Sequence, residues 1–220
     1  MTDEAMRAAR LAAMRRSYGL GGLDEGDLAP DWLAQLRQWL AEAEDGGILE
    51  PNAMVLATAT ADGRPNARSV LLRGLDERGL QFFTNYRSSK GQELEANPHA
   101  AAVFPWVAMG RQVVAAGPVY RLSDEESDAY FATRPRGHRL GATASPQSQV
   151  MPNREALDAA MRETTARYPE GTPIPRPAHW GGFRLDPETV EFWEGREDRL
   201  HDRLRYRKTA AGWALERLAP

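Results

Sequence analysis

The sequence predicts an α+β fold in which a β-barrel carries helices at its periphery. Segments rich in strand-forming residues follow one another with turn signals between them, of which Asp62-Gly63 is the clearest. Helical patterns stand at the edges of this series, and no internal repeat is present. With 220 residues, of which 42% are apolar, the chain can bury a core large enough for one such barrel.

Two helices are expected ahead of the first strand. Residues 3–17 place Ala, Met and Leu among Arg at helical spacing, and the glycines of 19–22 end this short amphipathic segment. The second helix carries an apolar stripe from Trp32 to Leu40 and closes at Gly46-Gly47. The stripe predicts that this helix packs against the barrel.

The rest of the chain consists of predicted strands and short helices. Expected strands cover 54–60, 67–75, 80–84, 100–106, 112–122, 182–185, 189–193, 200–207 and 213–218. Expected helices cover 88–96, 123–133 and 153–168. Segment 134–152 is rich in Arg, Gly, Ser and Pro and is expected to wind over the surface, and 169–177 is a Pro-rich connector.

Composition argues against several classes of protein. The net charge of -3 gives no reason to expect nucleic-acid binding. The chain has no cysteine, and its four dispersed His offer no short ligand spacing, so no disulfide and no metal site is expected. The longest nearly apolar run, 100–110, is far shorter than the roughly 20 residues of a membrane span, and no signal-peptide core is seen. We expect a cytoplasmic protein without a membrane partner.

Three polar residues recur with period two near the C-terminus. Arg199, His201 and Arg203 would share one face of a strand, and Trp193 lies a few residues upstream. Arg presents a planar fork to phosphate, His holds or moves a proton near neutral pH, and Trp offers a flat apolar face. The pattern predicts a site for a phosphorylated, aromatic, titratable ligand. The alternative is an edge strand whose charges oppose aggregation.

Weaker signals for phosphate binding occur earlier in the chain. Arg68 and Arg73 stand at the two ends of an apolar strand, with opposite parity. Lys90 follows hydroxyl residues at a predicted helix start, where free N–H groups suit a phosphate. Tyr130 and Arg134 are four residues apart and would share a helical face. Each signal also has an ordinary interpretation, as strand-end charges, a helix cap or a cation that complements a helix dipole.

Together, and in order along nearly the whole chain, these motifs resemble the pyridoxine/pyridoxamine 5′-phosphate oxidase family. The matching segments are Arg15-Arg16-Ser17-Tyr18, Arg68-x-Val70-Leu71-Leu72, Phe83-Thr84-Asn85, Ser88-x-Lys90, Arg111-Gln112-Val113, Tyr130-Phe131-x-x-Arg134-Pro135-Arg136, Gln147-Ser148, Phe192-Trp193 and Arg199-Leu200-His201-Asp202-Arg203. The last run is the most specific of them.

The resemblance implies an FMN-binding split β-barrel homodimer with two active sites at the subunit interface. It implies oxidation of pyridoxine or pyridoxamine 5′-phosphate to pyridoxal 5′-phosphate, with O2 reoxidising the flavin to give peroxide. Segment 1–28 would be an N-terminal lid, and 29–220 a single FMN-binding domain. The cofactor would carry the redox chemistry while the protein orients ring and phosphate.

The resemblance also assigns roles to residues of this chain. Arg199 and His201 are the expected catalytic residues. Cofactor contacts are expected from Arg68, Ser69, Val70, Leu71, Leu72, Arg73, Phe83, Thr84, Ser89, Lys90, Gln112, Gln147, Ser148, Trp193 and Arg203. Substrate contacts are expected from Arg15, Arg16, Ser17, Tyr18, Arg73, Tyr130, Arg134, His138, Arg199, Leu200 and His201.

Four positions depart from the family pattern. Arg73 stands where a Lys is frequent, Ser89 where an Arg is usual, His138 where a Ser is usual and Thr143 where a Trp is common. The change at Ser89 bears on flavin affinity and the change at His138 on the choice of substrate. Two alternatives therefore remain open: a paralogous flavin oxidase of the same fold, such as a phenazine-biosynthetic oxidase, and a non-catalytic flavin-binding protein.

Overall fold

The computed structural model describes residues 3–14, 18 and 21–220. Within them the helices are α1 (Asp3–Ala13), α2 (Trp32–Asp45), α3 (Ser89–Ala96), α4 (Asp124–Thr133), α5 (Arg136–Ala144) and α6 (Arg154–Arg167). The strands are β1 (Ala53–Ala59), β2 (Pro65–Leu71), β3 (Gly74–Asp76), β4 (Gly79–Asn85), β5 (His99–Trp106), β6 (Arg111–Arg121), β7 (Trp180–Leu185), β8 (Thr189–Glu194), β9 (Asp202–Thr209) and β10 (Gly212–Arg217). Short 3₁₀ turns cover Glu25–Asp27, Val107–Met109 and Glu197–Arg199.

The strands form an antiparallel barrel in which β6 takes part in two layers. Neighbouring strands follow the order β10-β9-β8-β6-β5-β1-β2, while β4 pairs with β3 and β7, and β7 pairs with β6. Residues 111–116 of β6 pair with β8, and residues 119–121 pair with β7. The change of partner falls at Gly117, where a Cβ atom would lie 2.2 Å from the carbonyl oxygen of Asp186. The predicted α+β barrel with peripheral helices is confirmed.

The core lies on the inner face of the barrel, under α2. Leu56, Phe104 and Phe192 are fully buried. The ring of Trp39, from the apolar stripe of α2, meets the ring of Phe192 edge to face at 5.2 Å between centroids. Side chains on the opposite face of the same strands, such as Val103, are only half-buried. This outer face therefore remains available for a further layer.

The segment predicted to wind over the surface contains a helix instead. Helix α5 covers Arg136–Ala144, begins after Pro135 and buries Leu140. Leu140 belongs to a small apolar cluster with Phe131, Ile174 and Trp180. The local composition, rich in Gly and Arg, favours a loop, but burial of one apolar face against a distant part of the chain stabilises the helix.

Two further expectations change in detail. The strand predicted over 67–75 is interrupted, since β2 ends at Leu71 and β3 begins at Gly74. Arg73 lies in this interruption, and its N–H donates to the carbonyl of Gln81 at 2.8 Å. Arg68 and Arg73 are therefore not two ends of one regular strand, and the prediction that they point to opposite faces of it does not apply. The first helix ends at Ala13 in the described residues, and positions 15–17 lie outside them.

No helix in the described part of the chain is both long and apolar enough to cross a bilayer. The same residues contain no group of three or more His, Cys, Asp or Glu side chains that could hold a metal ion.

Candidate active site

A basic cleft of about 560 Å³ opens beside the end of β2, strand β4 and the α4–α5 connection. The predicted site residues that line it are Ser69, Val70, Leu71, Arg73, Phe83, Thr84, Lys90, Tyr130, Arg134, His138 and Gln147. No Asp or Glu is among the residues that line this cleft. A second cleft of about 430 Å³ shares Arg134, His138, Gln147 and Trp180 with it. The fold thus gathers cations without counterions around one concave surface, which favours an anionic ligand.

Arg134 gives the clearest indication that the cleft binds an anion. Its Nη1 atom is buried and has no hydrogen-bond partner among the described residues. The guanidinium lies 4.6 Å from the centroid of the Trp180 ring. Burial lowers the pKa of Arg134, and the nearby charge of Arg73 lowers it further, although Tyr130 acts in the opposite direction. A buried cation without a partner is destabilising, so an anion bound here would relieve a cost that the free protein carries.

Lys90 forms a second position for an anion. Its side chain is 8% exposed, and its Nζ donates to Thr84 Oγ1 at 3.2 Å, to Ser88 Oγ at 3.4 Å and to Gln147 Oε1 at 3.3 Å. All three acceptors are neutral. Burial lowers the pKa of Lys90, and the charge of Arg68 lowers it further, against the opposing effect of Glu93. Lys90 stands in the first turn of α3, where the helix N-terminus adds positive potential.

Arg68 makes structural hydrogen bonds within the protein that the sequence did not predict. Its guanidinium donates to Thr58 Oγ1 at 2.5 Å, to the carbonyl of Leu56 at 3.1 Å and to Glu93 Oε2 at 3.0 Å. Burial raises the pKa of Glu93, but hydrogen bonds from Thr58, Asn66 and Arg68 outweigh it and hold that pKa below its ordinary value. Arg68 does not line the cleft; it ties β2 to β1 and α3 behind Lys90.

Leu72, Ser89 and Ser148, which are also predicted cofactor residues, lie outside the lining of the cleft too. Leu72 is buried in the main core, so any contact that it makes with a ligand would come from its backbone. Ser89 opens α3 next to the capping residue Ser88. Ser148 is exposed and has a positive φ of 71°. Their roles remain predictions.

A second cluster gathers other predicted residues on the outer face of the barrel. Gln112 of β6 pairs with Trp193 of β8, which pairs with Arg203 of β9, so the three form a row across neighbouring strands. The ring of His201 lies 4.7 Å from that of Trp193, and the ring of Tyr18 lies 5.9 Å from it. None of these residues lines the basic cleft. One chain therefore holds the predicted residues in two separate groups.

The expectation that Arg199, His201 and Arg203 share one strand face is wrong. Strand β9 begins only at Asp202, and Arg199 ends a 3₁₀ turn in which it has a φ of 62°. The turn is closed by a hydrogen bond from the N–H of Arg196 to Nδ1 of His201 at 3.0 Å. This local closure removes the residues before Asp202 from the ladder with β8. Leu200, which the prediction also placed in the strand, is 70% exposed.

Arg203 already has an internal partner. Its Nε and Nη2 donate to the two carboxylate oxygens of Glu191 at 2.8 and 3.0 Å, and its Nη1 donates to the carbonyl of Ala219 at 3.0 Å. This bidentate pair orients the guanidinium on the outer face beside Trp193. The predicted substrate residues Arg15, Arg16 and Ser17 lie outside the described residues.

Sequence reasoning missed three residues that line the cleft, Thr133, Pro135 and Trp180, of which Trp180 is the most informative. Trp180 lines both clefts, stacks on Phe83 at 5.6 Å and carries the guanidinium of Arg134 on its ring. It opens β7, some 46 residues after Arg134, and no local pattern links the two. The sequence offered one local hint of a site there, namely a Trp followed by two glycines, Gly181 and Gly182.

Comparison with known proteins identifies similar families over most of the chain. Residues 40–168 match the family described as Pyridoxamine 5'-phosphate oxidase, and residues 180–220 match the Pyridoxine 5'-phosphate oxidase C-terminal dimerisation region. The chain is 56% identical over 211 residues to the pyridoxine/pyridoxamine 5′-phosphate oxidase of Salinispora arenicola, covering 95% of this chain and 96% of that protein. It is 54% identical to the protein of the same name from Frankia alni, covering 95% and 88% of the two chains.

Two solved structures show the same fold. PhzG from Burkholderia lata 383, determined in complex with tetrahydrophenazine-1-carboxylic acid, superimposes with a TM-score of 0.85 at 35% identity, over 92% of this chain and 100% of that chain. A pyridoxamine 5′-phosphate oxidase-related, FMN-binding protein from Nostoc punctiforme gives a TM-score of 0.68 at 22% identity, over 88% of this chain and 100% of that chain.

Proposed function

Because the chain belongs to the pyridoxine/pyridoxamine 5′-phosphate oxidase family, we propose that it oxidises pyridoxine or pyridoxamine 5′-phosphate to pyridoxal 5′-phosphate, with FMN as cofactor and O2 as electron acceptor. The observation that carries this proposal is the basic cleft, in which a buried nitrogen of Arg134 has no hydrogen-bond partner among residues 3–14, 18 and 21–220 and no carboxylate belongs to the lining. Both the substrate and the cofactor are phosphate esters, and the cleft offers cations for two phosphates.

The cleft fits FMN on its donor chemistry. Lys90 has only neutral acceptors around its Nζ and stands at the start of α3, which suits the flavin phosphate. Gln147 and Thr84 are bonded to each other at 3.0 Å beside it, and both could turn their polar groups to a ligand. We assign this end of the cleft to FMN. The missing Arg at Ser89 leaves Lys90 as the main point charge there.

The other end of the cleft suits the substrate phosphate. Arg134 presents its unpartnered Nη1, Arg73 lies close enough to lower the pKa of Arg134, and His138 lines the same wall. Arg offers two parallel donors to a phosphate. His138 stands where the family usually has a hydroxyl, so its imidazole takes over that donor position. We assign these residues to binding and orienting the phosphorylated pyridine.

When bound, FMN supplies the two-electron acceptor for the C4′ carbon and returns the electrons to O2, which leaves as peroxide. The protein side chains bind and orient. Trp180 and Tyr130 form one wall of the cleft with stacked rings whose centroids lie 6.2 Å apart. His201 holds the proton of its neutral ring on Nε2, because Nδ1 accepts the N–H of Arg196. We assign to His201 and Arg199 the placement of the reacting carbon, with His201 Nε2–H as a donor to the substrate.

The enzyme works as a homodimer, and its active site draws on both subunits. The row of Gln112, Trp193 and Arg203, together with His201, does not reach the cleft of its own chain. It lies within or beside the segment that matches the family's dimerisation region. The half-buried outer face around Val103 provides apolar area for the contact. A partner subunit would bring its row to the cleft and complete the site.

The phenazine-type alternative is supported less well. Identity to the named B6 oxidases is 56 and 54%, against 35% to PhzG. The phosphate-binding end of the cleft also suits a phosphorylated substrate better than a carboxylated tricycle. The proposal also includes a cytoplasmic location, which cell fractionation tests. It includes the role of segment 1–28 as a lid as well.

An absorption spectrum tests the proposal directly. The purified protein should show a flavin band that bleaches on anaerobic addition of pyridoxamine 5′-phosphate, and air should then restore it with release of peroxide. Bleaching only by a tricyclic substrate would support the phenazine alternative. A stable flavin band with either compound would indicate a non-catalytic flavin protein.

The shared site has its own test. Lys90→Met and His201→Asn remove groups from the two separate clusters, so each variant alone should have little activity at FMN concentrations near the wild-type Kd. Mixing them under conditions that exchange subunits should restore up to about a quarter of the activity, because half the dimers are mixed and each mixed dimer has one intact site. No recovery on mixing, with exchange verified, would mean that each chain builds its site alone.

A further inference from the structure

Tyr18 and residues 21–23, here called the docked segment, pack against the loop that joins β8 to β9. The ring of Tyr18 meets those of Trp193 and His201 edge-on, with centroids 5.9 and 6.2 Å apart. The chain approaches so closely that a Cβ atom on Gly195 would lie 2.5 Å from Cγ of Tyr18. The segment therefore touches the imidazole that the proposed function places at the substrate.

Three side chains hold this docked segment. Arg217 pairs with Asp24 and Glu25, and its Nη2 donates to the carbonyl of Leu23 at 3.2 Å, while Arg196 and Asp202 bind the residues just before. The Nε of Arg196 donates to Asp202 Oδ2 at 2.5 Å, and its Nη1 lies 3.4 Å from the carbonyl oxygen of Gly21. Its guanidinium covers Gly22 so closely that a Cβ atom there would lie 1.8 Å from Nη2. Asp202 Oδ2 also accepts the N–H of Leu23 at 3.0 Å. Arg196 and Asp202 thus grip three consecutive residues of the segment.

The hydrogen bonds around Asp202 keep its side chain ionised. It is 7% exposed, and its Oδ1 accepts from Nη1 of Arg217 at 2.7 Å. Burial raises its pKa, but hydrogen bonds from the Leu23 N–H, Arg196 and Arg217 outweigh this and lower the pKa below its ordinary value. Because the group stays charged under working conditions, its bonds to the segment are charge-assisted.

The main chain of Arg196 performs a separate task. Its N–H donates to Nδ1 of His201 at 3.0 Å, which orients the imidazole and leaves Nε2 free for a ligand. The same residue therefore sets the orientation of the His201 ring through its backbone and the position of the segment through its side chain.

We propose that Arg196 is a positioning residue, whose side chain locks residues 21–23 onto Asp202 and so keeps Tyr18 packed against His201 when substrate binds. The inference rests on the proposed function only in taking His201 as a substrate contact. Loss of the side chain should loosen the segment at Gly21 and Gly22 and weaken substrate binding, although Arg217 still holds Leu23. It should leave the rate of the bound complex nearly unchanged, because the backbone bond to His201 remains.

The test combines hydrogen exchange with steady-state kinetics on the flavin-loaded dimer. In Arg196→Ala the amide of Leu23 should exchange at least about tenfold faster, and KM for pyridoxamine 5′-phosphate should rise about tenfold, with kcat within about twofold, as expected for loss of a partly exposed charge-assisted bond. Arg196→Lys keeps the pair with Asp202 and should recover part of the effect.

Gly22→Ala disturbs the contact between Arg196 and the docked segment from the side of the segment. It places a Cβ atom against the guanidinium and forces a non-glycine residue to a φ of 91°, so it should reproduce the rise in KM. Gly26→Ala is the matched control, since a Cβ atom there meets nothing within 4 Å, and it should behave as the wild type. Flavin content and melting temperature verify that each variant is folded.

Unchanged exchange of Leu23 together with an unchanged KM in Arg196→Ala would overturn the proposal, as would equal behaviour of Gly22→Ala and Gly26→Ala. A fall in kcat without a change in KM would also contradict it, because the backbone bond to His201 is intact. If the wild type does not oxidise pyridoxamine 5′-phosphate, the proposed function fails by itself, and the exchange of Leu23 still decides whether Arg196 holds the segment.

Discussion

Replacing Arg134 by Met should stabilise the flavin-free protein while impairing substrate binding. The side chain carries a charge into the wall of the basic cleft, where its Nη1 has no partner among the described residues. Its favourable contact is with the ring of Trp180 at 4.6 Å. Met fills similar space and has no donor to satisfy. The free protein should therefore gain from the change, whereas a phosphate ligand should lose its main partner.

The magnitudes follow from these contacts. An unsatisfied buried donor costs about 1–3 kcal/mol, and a cation over an aromatic ring contributes about 1 kcal/mol in return. The net gain on Arg134→Met is thus about 1 kcal/mol, which corresponds to about 2–4 °C in Tm for a chain of this length. A lost charge-assisted bond to phosphate costs about 2–3 kcal/mol, or a rise in KM of about 30- to 150-fold.

Calorimetry of the flavin-free protein and steady-state kinetics with phosphorylated and unphosphorylated pyridoxamine measure the two effects. Arg136→Met is the matched control, because the Arg136 guanidinium donates to the carbonyl of Pro169 at 2.9 Å and to that of Thr172 at 3.2 Å. That variant should lower Tm and leave KM unchanged. If Arg134→Met has a lower Tm than the wild type, or the same KM as the wild type for the phosphorylated substrate, the assignment of Arg134 as an unpaired phosphate ligand is refuted.

Three further predictions concern titratable groups. Burial and then the charge of Arg68 lower the pKa of Lys90, so the affinity for FMN should begin to fall at a lower pH than it would with an ordinary lysine. Lys90→Met should bind FMN about 30-fold more weakly at neutral pH and should not show this fall. Flavin fluorescence measures both effects. His138→Ser exchanges an imidazole donor for a hydroxyl and should change KM for pyridoxamine 5′-phosphate but not for unphosphorylated pyridoxamine, and equal KM values in wild type and variant would mean that His138 does not touch the phosphate. Burial raises the pKa of Tyr206, whose hydroxyl donates to the carbonyl of Ala29 at 2.6 Å, to about 12. Its stabilisation should be complete below about pH 10 and should disappear as the pH rises through about 12, a loss of about 2–3 kcal/mol. Denaturant unfolding should show this loss in the wild type and not in Tyr206→Phe.

The sequence by itself determined the elements of the barrel and the chemistry of the ligand. Turn signals such as Asp62-Gly63 and the stripe from Trp32 to Leu40 are local patterns, and local patterns decide where strands and helices form. The motifs around Lys90 and Arg134 also predicted phosphate-binding cations, since the residue types suit that chemistry and the family resemblance assigns it to them. The structure places both in one cleft.

Only the tertiary structure decided which of the predicted cations are free. Arg68 is neutralised by Glu93, 25 residues away, and Arg203 by Glu191, 12 residues away, while Nη1 of Arg134 has no hydrogen-bond partner in the part of the chain that the structure describes. Likewise, a hydrogen bond back to His201 removes Arg199 from the strand that its spacing predicts. Ion pairing and burial depend on groups that are distant in the chain and near in space, so no period or motif in the sequence determines them.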